Sequence, residues 1–367
     1  EQLLSAHHNY NMESKRIIPD DSVIDSQNSQ EDVYAQPIFK DGRYQNPWPT
    51  WRKPQFSGIF KFIVMTKDES KIPNKSELDK TLPIIKPDLS QFNTSTVNGL
   101  RHMWIGHASS LVQLDGITLL TDPIFSARCS PSQWFGAKRY REPPCTIQEL
   151  PKIDYVLISH NHYDHLDYNS VVELNRRFGD TLTWLVPIGL KNWMNSCGVN
   201  SVVELSWWKE HVDSGSSHVK FISTPCQHWC KRNLNDDNKV LWTSWCVKGP
   251  NHSFFFAGDT GYCASFKQIG KRYGPFTLAT IPIGAYHPRA FLTSQHVDPS
   301  QAIDIHNDVL SKKSIAIHWG TFSLGKEFYL EPRDSLKQEL QRREMEPESF
   351  ITVKHGEITH VQSEGDS

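Results

Sequence analysis

Short apolar runs alternate with longer amphipathic stretches along the chain from Leu100 onward. Brief apolar runs between turn residues are typical of buried strands, and apolar positions on one helical face are typical of amphipathic helices. The pattern predicts strands over residues 101–105, 110–114, 117–120, 155–158, 183–186, 219–223, 240–247, 253–256 and 314–317. It predicts helices near residues 168–177, 262–272, 299–310 and 332–343. Strands grouped in two halves, each followed by helices, indicate an α/β fold with two packed sheets and helices outside, in one domain over residues 100–367.

The residues before this region differ in composition. Residues 1–45 are polar and lack periodicity. Such a composition buries too little apolar surface to offset the ordering entropy, so we predict a disordered tail. Residues 46–99 form an extension that opens with the aromatic motif Asn46-Pro47-Trp48-Pro49-Thr50-Trp51 and either packs on the core or contacts a membrane interface. The candidates for membrane contact are Trp48, Trp51, Phe56, Ile59, Phe60 and, unless they form a core strand, Leu182, Trp184 and Leu185.

Composition excludes several classes of protein. Hydrophobic residues make up 38% of the chain and charged residues 22%, which is typical of a soluble globular protein with a sizeable core. The net charge of -2 gives no electrostatic support for nucleic-acid binding. No apolar run approaches the roughly 20 residues that span a bilayer, so no transmembrane segment is expected. The seven cysteines are an odd number in a large chain, which favours free thiols in a reducing intracellular compartment.

Four potential metal ligands fall within six residues directly after the apolar run 155–158. They are His160, His162, Asp164 and His165. Imidazoles and a carboxylate crowded at a strand end favour a cation between them, and their order suits two cations better than one. His160 and His162 can face one metal, while Asp164 and His165 turn toward a second. Metal-assisted hydrolysis is therefore the leading hypothesis.

Three further apolar strands end in a potential ligand. His228 follows the run 221–227, Asp259 lies in a glycine turn after Phe256, and His318 follows Ile317. Strand ends are where α/β enzymes assemble their sites. A single histidine of this kind is more often a hydrogen-bonded core residue. Four such strand ends together favour one shared metal site.

These residues resemble the ligand signature of the metallo-β-lactamase superfamily. Further motifs resemble, more narrowly, the family of N-acylphosphatidylethanolamine-hydrolysing phospholipases D. They include the Asn46 to Trp51 motif and residues 104–108, 121–126, 228–232, 236–242, 258–263 and 281–286. The resemblance runs from about residue 46 to residue 357, and every expected ligand is present.

The resemblance implies a fold and a ligand set. The fold is an αββα sandwich of two mixed β-sheets flanked by helices, with residues 100–367 as the catalytic domain. Two Zn²⁺ ions per subunit are implied, one held by His160, His162 and His228 and the other by Asp164, His165 and His318. Asp259 would bridge both ions together with a hydroxide. Asp122 would orient the imidazoles from behind, and His107, which follows a strand, is a plausible second supporting group.

The implied activity is hydrolysis of N-acylphosphatidylethanolamines to N-acylethanolamines and phosphatidic acid by attack of the bridging hydroxide on phosphorus. Asp259 would position the hydroxide. Gln295 and His296 would bind phosphate or assist the leaving group, unless they are an ordinary loop pair. Tyr163 lines the cleft or is purely structural. Lys231 and Arg232 meet an anionic headgroup or a bile-acid-like amphiphile, unless they are a solvated basic pair.

The implied partner is a membrane phospholipid, reached by peripheral contact with the cytosolic face of internal membranes, Golgi or endosomal, and the resemblance also implies a homodimer. Rival hypotheses are a nuclease, a lactonase, an iron redox protein and a binding module without catalysis. The balanced charge argues against a nuclease, and a lactonase would not need the aromatic extension. Iron proteins of this fold place glutamate where this chain has His162. A binding module would tolerate the loss of a ligand, and none is lost.

Overall fold

Two mixed β-sheets form the centre of the computed structural model, which describes residues 34–53, 66–94, 99–213, 215 and 218–362. The first sheet has the strand order β16-β3-β4-β5-β6-β7-β8 and the second the order β15-β14-β13-β12-β11-β10-β9. The strands of the first sheet are β3 (Gly99–Gly106), β4 (Ser109–Leu114), β5 (Ile117–Thr121), β6 (Tyr155–Leu157), β7 (Thr183–Pro187), β8 (Val202–Leu205) and β16 (Ile358–Gln362). Those of the second are β9 (Glu210–Val212), β10 (Lys220–Thr224), β11 (Ser244–Lys248), β12 (Ser253–Phe256), β13 (Leu278–Pro282), β14 (Ser314–Ile317) and β15 (Phe350–Ile351).

Each sheet is antiparallel on one side and parallel on the other. In the first sheet β16, β3, β4 and β5 pair antiparallel, and β5 to β8 pair parallel. In the second, β9 to β12 are antiparallel and β12 to β15 parallel. The described helices are α1 (Lys75–Thr81), α2 (Tyr168–Phe178), α3 (Lys191–Ser196), α4 (Ser265–Tyr273), α5 (Arg289–Leu292), α6 (Pro299–Asp308) and α7 (Glu331–Arg342). The predicted sandwich of two mixed sheets with flanking helices is confirmed. Among the described residues, no helix combines the length and the hydropathy required to span a bilayer.

Buried tryptophans join the two layers and the loops at their ends. Trp245 of β11 donates its indole N–H to the carbonyl of Ile158, at 2.9 Å, just beyond β6. Trp242 and Trp48 both donate to the carbonyl of Cys226, at 3.1 and 3.0 Å. A buried indole N–H needs an acceptor, because leaving it unpaired costs free energy. These three indoles therefore hold the segments that precede His160 and His228.

The N-terminal boundary differs from the prediction. Residues 34–45, predicted as part of a disordered tail, include the paired strands β1 (Ile38–Lys40) and β2 (Arg43–Gln45). The Tyr44 amide donates to Asn238 O at 2.7 Å, and Trp208 Nε1 donates to Ala35 O at 2.7 Å. These contacts with distant residues order the segment despite its polar composition, which corrects the predicted boundary at residue 45. Residues 1–33 lie outside the described residues.

The residues predicted to contact a membrane are mostly buried or outside the described chain. Trp48 is buried and Trp51 packs against the core, so the motif 46–51 belongs to the packed part of the extension. Trp48 therefore agrees with the core-packing alternative and is no longer a candidate for membrane contact. Leu182, Trp184 and Leu185 are fully buried in or beside β7, in agreement with the core-strand alternative. Phe56, Ile59 and Phe60 lie outside the described residues.

Close contact between α4 and α6 depends on Gly270. A Cβ at this position would lie 1.9 Å from the carbonyl oxygen of Asp308. We expect Gly270→Ala to lower the free energy of unfolding by about 1–3 kcal/mol, because one of the two helices must move. Urea denaturation followed by circular dichroism measures the change. Lys267→Ala, on the exposed face of the same helix, is the control and should stay within about 0.5 kcal/mol of the parent; equal losses in both variants would contradict the packing argument.

Candidate metal centre

The predicted ligands meet at one edge of the sandwich. His160, His162, Asp164 and His165 lie in the loop after β6, where the His162 carbonyl accepts from the amides of His165 and Leu166 and tightens the turn. Three strands of the second sheet contribute the others: His228 follows β10, Asp259 follows β12, and His318 follows β14. Both sheets therefore deliver side chains to the same place.

Three imidazoles form the first group. His160 Nε2 lies 2.9 Å from His162 Nδ1, and His228 Nε2 lies 3.2 Å from the same atom. The rings of His160 and His228 meet edge to face, as do those of His162 and His228. Ring nitrogens that converge at such distances can bind a cation in common.

The second group combines a carboxylate with imidazoles. Asp164 Oδ2 lies 3.3 Å from His165 Nε2 and 3.5 Å from His318 Nε2. It also lies 2.9 Å from His107 Nε2. Since a carboxylate only accepts hydrogen bonds, His107 Nε2–H donates to Asp164 and holds it in place. His107 thus lies behind Asp164 as a supporting group.

Asp259 lies between the two groups. Its Oδ2 is 3.1 Å from His165 Nε2 and 3.8 Å from His228 Nε2, and its Oδ1 is 3.0 Å from His318 Nε2. The side chain is only 2% exposed. A buried carboxylate between the two imidazole groups is placed to bind a cation on either side.

The site residues fit a metal centre. Several buried polar atoms that face the centre have no hydrogen-bond partner among the described residues: His165 Nε2, His318 Nε2 and Asp259 Oδ1. Unpaired buried polar atoms cost free energy unless something binds them. Imidazole nitrogen and carboxylate oxygen are the donors that catalytic metal ions use. The chemistry and positions of these residues therefore fit a metal ion.

Electrostatics support the same conclusion. Burial lowers the pKa of His160 and of His228 well below the usual value and lowers the pKa of His162 to about 4. These imidazoles are therefore neutral near pH 7, with a lone pair available. Burial also acts against a charge on His165, but Asp259 and Asp164 raise the pKa of His165 well above its usual value. The two carboxylates thus hold a positive charge at this end of the site, as they would hold a cation.

Asp122 fixes the orientation of two of the imidazoles. Its Oδ1 accepts from the Ser159 amide at 2.7 Å, and its Oδ2 accepts from Ser159 Oγ at 2.5 Å and from His165 Nδ1 at 2.6 Å. Ser159 Oγ in turn lies 2.8 Å from His160 Nδ1. Because Ser159 O–H donates to Asp122, His160 Nδ1–H donates to Ser159. Both rings therefore donate through Nδ1–H and turn Nε2 toward the centre, where a cation would replace the proton that the carboxylates hold on His165.

The two members of the Gln295–His296 pair have different surroundings. The Gln295 carbonyl accepts from His228 Nδ1 at 3.0 Å, and its Oε1 accepts from Trp229 Nε1 at 2.8 Å. His296 instead directs Nδ1 toward Asp259 Oδ2, at 3.7 Å, and its side chain is 14% exposed. Burial lowers the pKa of His296 to about 4. Gln295 therefore supports His228 and Trp229, whereas His296 faces the cleft.

The cleft at the centre has a volume of about 320 Å³. Its lining includes Tyr163, Lys231 and His296. Tyr163 O–H donates to the Arg232 carbonyl at 3.0 Å, and the Arg232 guanidinium lies 4.0 Å from the centre of the Tyr163 ring. Arg232 Nη1 also donates to the carbonyls of Asn161 and Leu166, at 3.1 and 2.7 Å. Arg232 therefore supports the ligand loop, unlike a solvated basic residue.

Three supporting residues were not predicted from the sequence. Asn46 Nδ2 donates to the His228 carbonyl at 2.7 Å. Thr321 Oγ1 accepts from the His107 amide at 2.7 Å, and Ser159 links Asp122 to His160. Asn46 lies inside the aromatic motif, which is the signal that could have pointed to it. The others carry no signal of their own, because their partners are fixed by the fold.

Comparison with known proteins places this site in a family. Residues 118–319 match the sequence profile described as the beta-lactamase superfamily domain. The chain is 41% identical over 345 residues to the N-acyl-phosphatidylethanolamine-hydrolyzing phospholipase D 1 of Caenorhabditis elegans, covering 90% of this chain and 95% of that protein. The chain belongs to the N-acyl-phosphatidylethanolamine-hydrolyzing phospholipase D family. A mitochondrial member from Saccharomyces cerevisiae is 35% identical, over 82% of this chain and 72% of its own length.

A solved structure agrees with the fold. Igni18, a metallo hydrolase from Ignicoccus hospitalis, matches with a TM-score of 0.54 at 19% identity, over 72% of this chain and 99% of its own. All seven predicted ligands lie within residues 118–319, the part of the chain that matches the superfamily profile. The family predicted from the motifs is confirmed, and with it the enzyme class, a metal-dependent hydrolase.

Proposed function

We propose that the protein hydrolyses N-acylphosphatidylethanolamines to N-acylethanolamines and phosphatidic acid with two zinc ions per subunit. The single observation that carries this proposal is the position of Asp259, 3.1 Å from His165 and 3.8 Å from His228, between two ligand groups. The names of the relatives in Caenorhabditis elegans and Saccharomyces cerevisiae support the substrate.

The ligand groups suggest how the metals are held. His160, His162 and His228 would hold one ion, and Asp164, His165 and His318 the other, with Asp259 shared. A donor set rich in imidazole suits zinc, and His162 stands where the iron proteins of this fold carry glutamate. Bound zinc lowers the pKa of coordinated water and so supplies a nucleophile near neutral pH.

The cleft residues would position the phosphodiester. Asp259 would orient the attacking water through its carboxylate. His296 faces the same space, with Nδ1 3.7 Å from Asp259 Oδ2, so its imidazole can hydrogen-bond to a phosphoryl oxygen or to the leaving oxygen. Gln295 would act through His228 and Trp229, whose ring nitrogens it holds. Tyr163 and Lys231 border the cleft, where an ammonium group can meet an anionic headgroup.

A second cavity supports the proposed binding of a bile-acid-like amphiphile. It has a volume of about 300 Å³, and its lining includes Arg232, Tyr163, Tyr168 and Trp193. The Arg232 guanidinium lies 4.8 Å from the centre of the Trp193 ring. Aromatic walls beside a guanidinium suit a molecule with an apolar body and an anionic end. The proposed homodimer and the location on the cytosolic face of internal membranes rest on the family resemblance.

Metal removal tests the proposed reaction. The purified chain is incubated with an N-acylphosphatidylethanolamine in mixed micelles, before and after chelation, and the products are identified by mass spectrometry. We expect N-acylethanolamine and phosphatidic acid from the untreated protein, product formation reduced to background after chelation, and recovery on addition of zinc, because no other nucleophile is proposed. Full activity in the metal-stripped protein would contradict the mechanism. No product alongside hydrolysis of RNA or a lactone would favour a rival.

A further inference from the structure

Three large apolar side chains stand out by their exposure. Trp134 and Phe135 are 85% and 76% exposed, and Leu234 is 89% exposed. Within the part of the chain that the structure describes, no other large apolar residue is more than 60% exposed. Such side chains in water forgo the free energy of burial, so a group of them indicates a surface that binds something apolar.

The three side chains lie on two loops at the cleft, residues 127–138 and residues 231–239, here called the entrance loops. The cavity of about 300 Å³ is lined by both loops, through Ser130, Pro131 and Gln133 of the first and Arg232 and Asn233 of the second. The cleft at the metal centre is also lined by both, through Cys129 and Lys231. The apolar tips therefore belong to loops that line both the cleft at the metal centre and the cavity of about 300 Å³.

Positive charge accompanies the apolar tips. The first entrance loop contains Arg128 and Lys138 and no acidic residue. The second begins with Lys231 and Arg232, and its two carboxylates already have partners: Asp236 accepts from the Arg232 amide of the same loop at 3.0 Å, and Asp237 pairs with Arg43 at 3.0 Å. Apolar side chains next to cations match an anionic lipid interface, in which acyl chains lie below the phosphates.

We propose that the entrance loops dock the protein on an anionic phospholipid surface. Trp134, Phe135 and Leu234 enter the interface between headgroups and acyl chains. Arg128, Lys138 and Lys231 face the headgroup phosphates. This inference rests on the proposed function, because a lipid phosphodiester can pass from a bilayer to the metal centre when the cleft mouth faces that bilayer. It also assigns membrane contact to loops remote in sequence from the buried Trp48.

Vesicle flotation tests the docking surface. The parent chain is compared with Trp134→Ser/Phe135→Ser and with Leu234→Ser on phosphatidylcholine vesicles with and without phosphatidic acid. We expect each variant to partition onto the phosphatidic acid vesicles at least about tenfold more weakly, because apolar area is lost from the interface. The control is Leu310→Asn. Leu310 is 51% exposed and precedes the start of β14, whereas His318 follows the end of that strand. Its φ of 58° is a value that asparagine tolerates.

Hydrolysis separates docking from chemistry. For N-acylphosphatidylethanolamine in vesicles, we expect the two loop variants to raise KM by about tenfold with kcat unchanged. Bound metal and the rate on a short-chain, monomeric phosphodiester should match the parent.

Three outcomes would overturn all or part of the docking proposal, and a fourth would refute the proposed function alone. If the loop variants partition onto vesicles as strongly as the parent does, the docking surface is wrong, whether or not the parent is active. If the parent binds vesicles equally well with and without phosphatidic acid, the proposed role of the basic side chains is wrong. Dissociation of a dimer by the same substitutions, with vesicle binding retained, would show that the surface joins two copies of the chain. A parent that binds vesicles without hydrolysing the lipid would instead refute the proposed function and leave the docking surface standing.

Discussion

Asp259→Asn is expected to reduce phosphodiester hydrolysis by at least about 100-fold and to lower the metal content of the purified protein. Substitution of a residue that only supports a metal ligand typically lowers metal affinity or activity by about 10- to 100-fold. Asp259 itself contacts both ligand groups, so a larger effect is expected. The amide removes the negative charge between the imidazoles. It also places an N–H₂ group where Oδ1 now lies 3.0 Å from His318 Nε2 or where Oδ2 lies 3.1 Å from His165 Nε2.

Mass spectrometric metal analysis and turnover of the micellar lipid measure the effect of Asp259→Asn. The matched control is Asp115→Asn, because Asp115 is another buried carboxylate paired with a histidine, 2.8 Å from His252 Nδ1, away from the metal centre. This control should keep its metal and its rate even if it lowers stability. If Asp259→Asn hydrolyses the lipid at the rate of the parent, the proposed position of Asp259 between two metal ions is wrong. Equal metal loss in both variants would point to general unfolding.

The strands that the sequence predicts best are buried on both faces. β12 and β14 coincide with the predicted runs because each is a short apolar segment between turn residues. β13 was missed although it pairs with both of them. Its sequence, Leu-Ala-Thr-Ile-Pro, is short of bulky apolar residues and ends in a proline that argues against a strand. Its place in the sheet is decided by its neighbours.

Contacts between distant residues set other boundaries. The predicted strand over residues 240–247 begins only at Ser244. The amides of Leu241 and Thr243 donate instead to the carbonyls of Ile188 and Ser159, in loops of the first sheet. An apolar run specifies burial, and it does not specify which backbone partner completes the hydrogen bonds. The polar residues 34–45 are ordered for the same reason, through partners far away in the sequence.

The candidate ligands stand out in the sequence because each is a histidine or aspartate near the end of an apolar strand, and the structure brings these side chains together. Their supporting groups could not be found so easily. Asn46 and His228 are 182 residues apart, and His107 and Thr321 are 214 apart. These groups hold the backbone at His228 and His107, while the tautomers of His165 and His228 depend on Asp122 and on the Gln295 carbonyl. Since the fold brings these partners together, the orientation of a ligand is a property of the fold rather than of a motif.

Asp122→Asn is expected to reduce hydrolysis and metal affinity by about 10- to 100-fold while the chain remains folded. Asp122 is fully buried and accepts three hydrogen bonds, from the Ser159 amide, Ser159 Oγ and His165 Nδ1. Asparagine has one acceptor oxygen, so its N–H₂ group must face a donor. If the oxygen keeps the Ser159 amide, the N–H₂ group opposes His165 Nδ1–H. His165 must then move its proton to Nε2, the atom that faces Asp259 at 3.1 Å, and that atom can no longer bind a metal.

Asp167→Asn is the matched control for this argument. Asp167 is also buried and accepts from the Ser126 amide, Ser126 Oγ and Ser170 Oγ, without a histidine among these partners. Competition with a chromophoric chelator measures metal affinity, and thermal unfolding of the metal-free proteins measures the fold. We expect both variants to lose similar stability and only Asp122→Asn to lose metal affinity and rate. Similar losses of affinity in both would show that burial of a carboxylate matters here and the tautomer of His165 does not. Retained affinity in Asp122→Asn would show that His165 is oriented without Asp122.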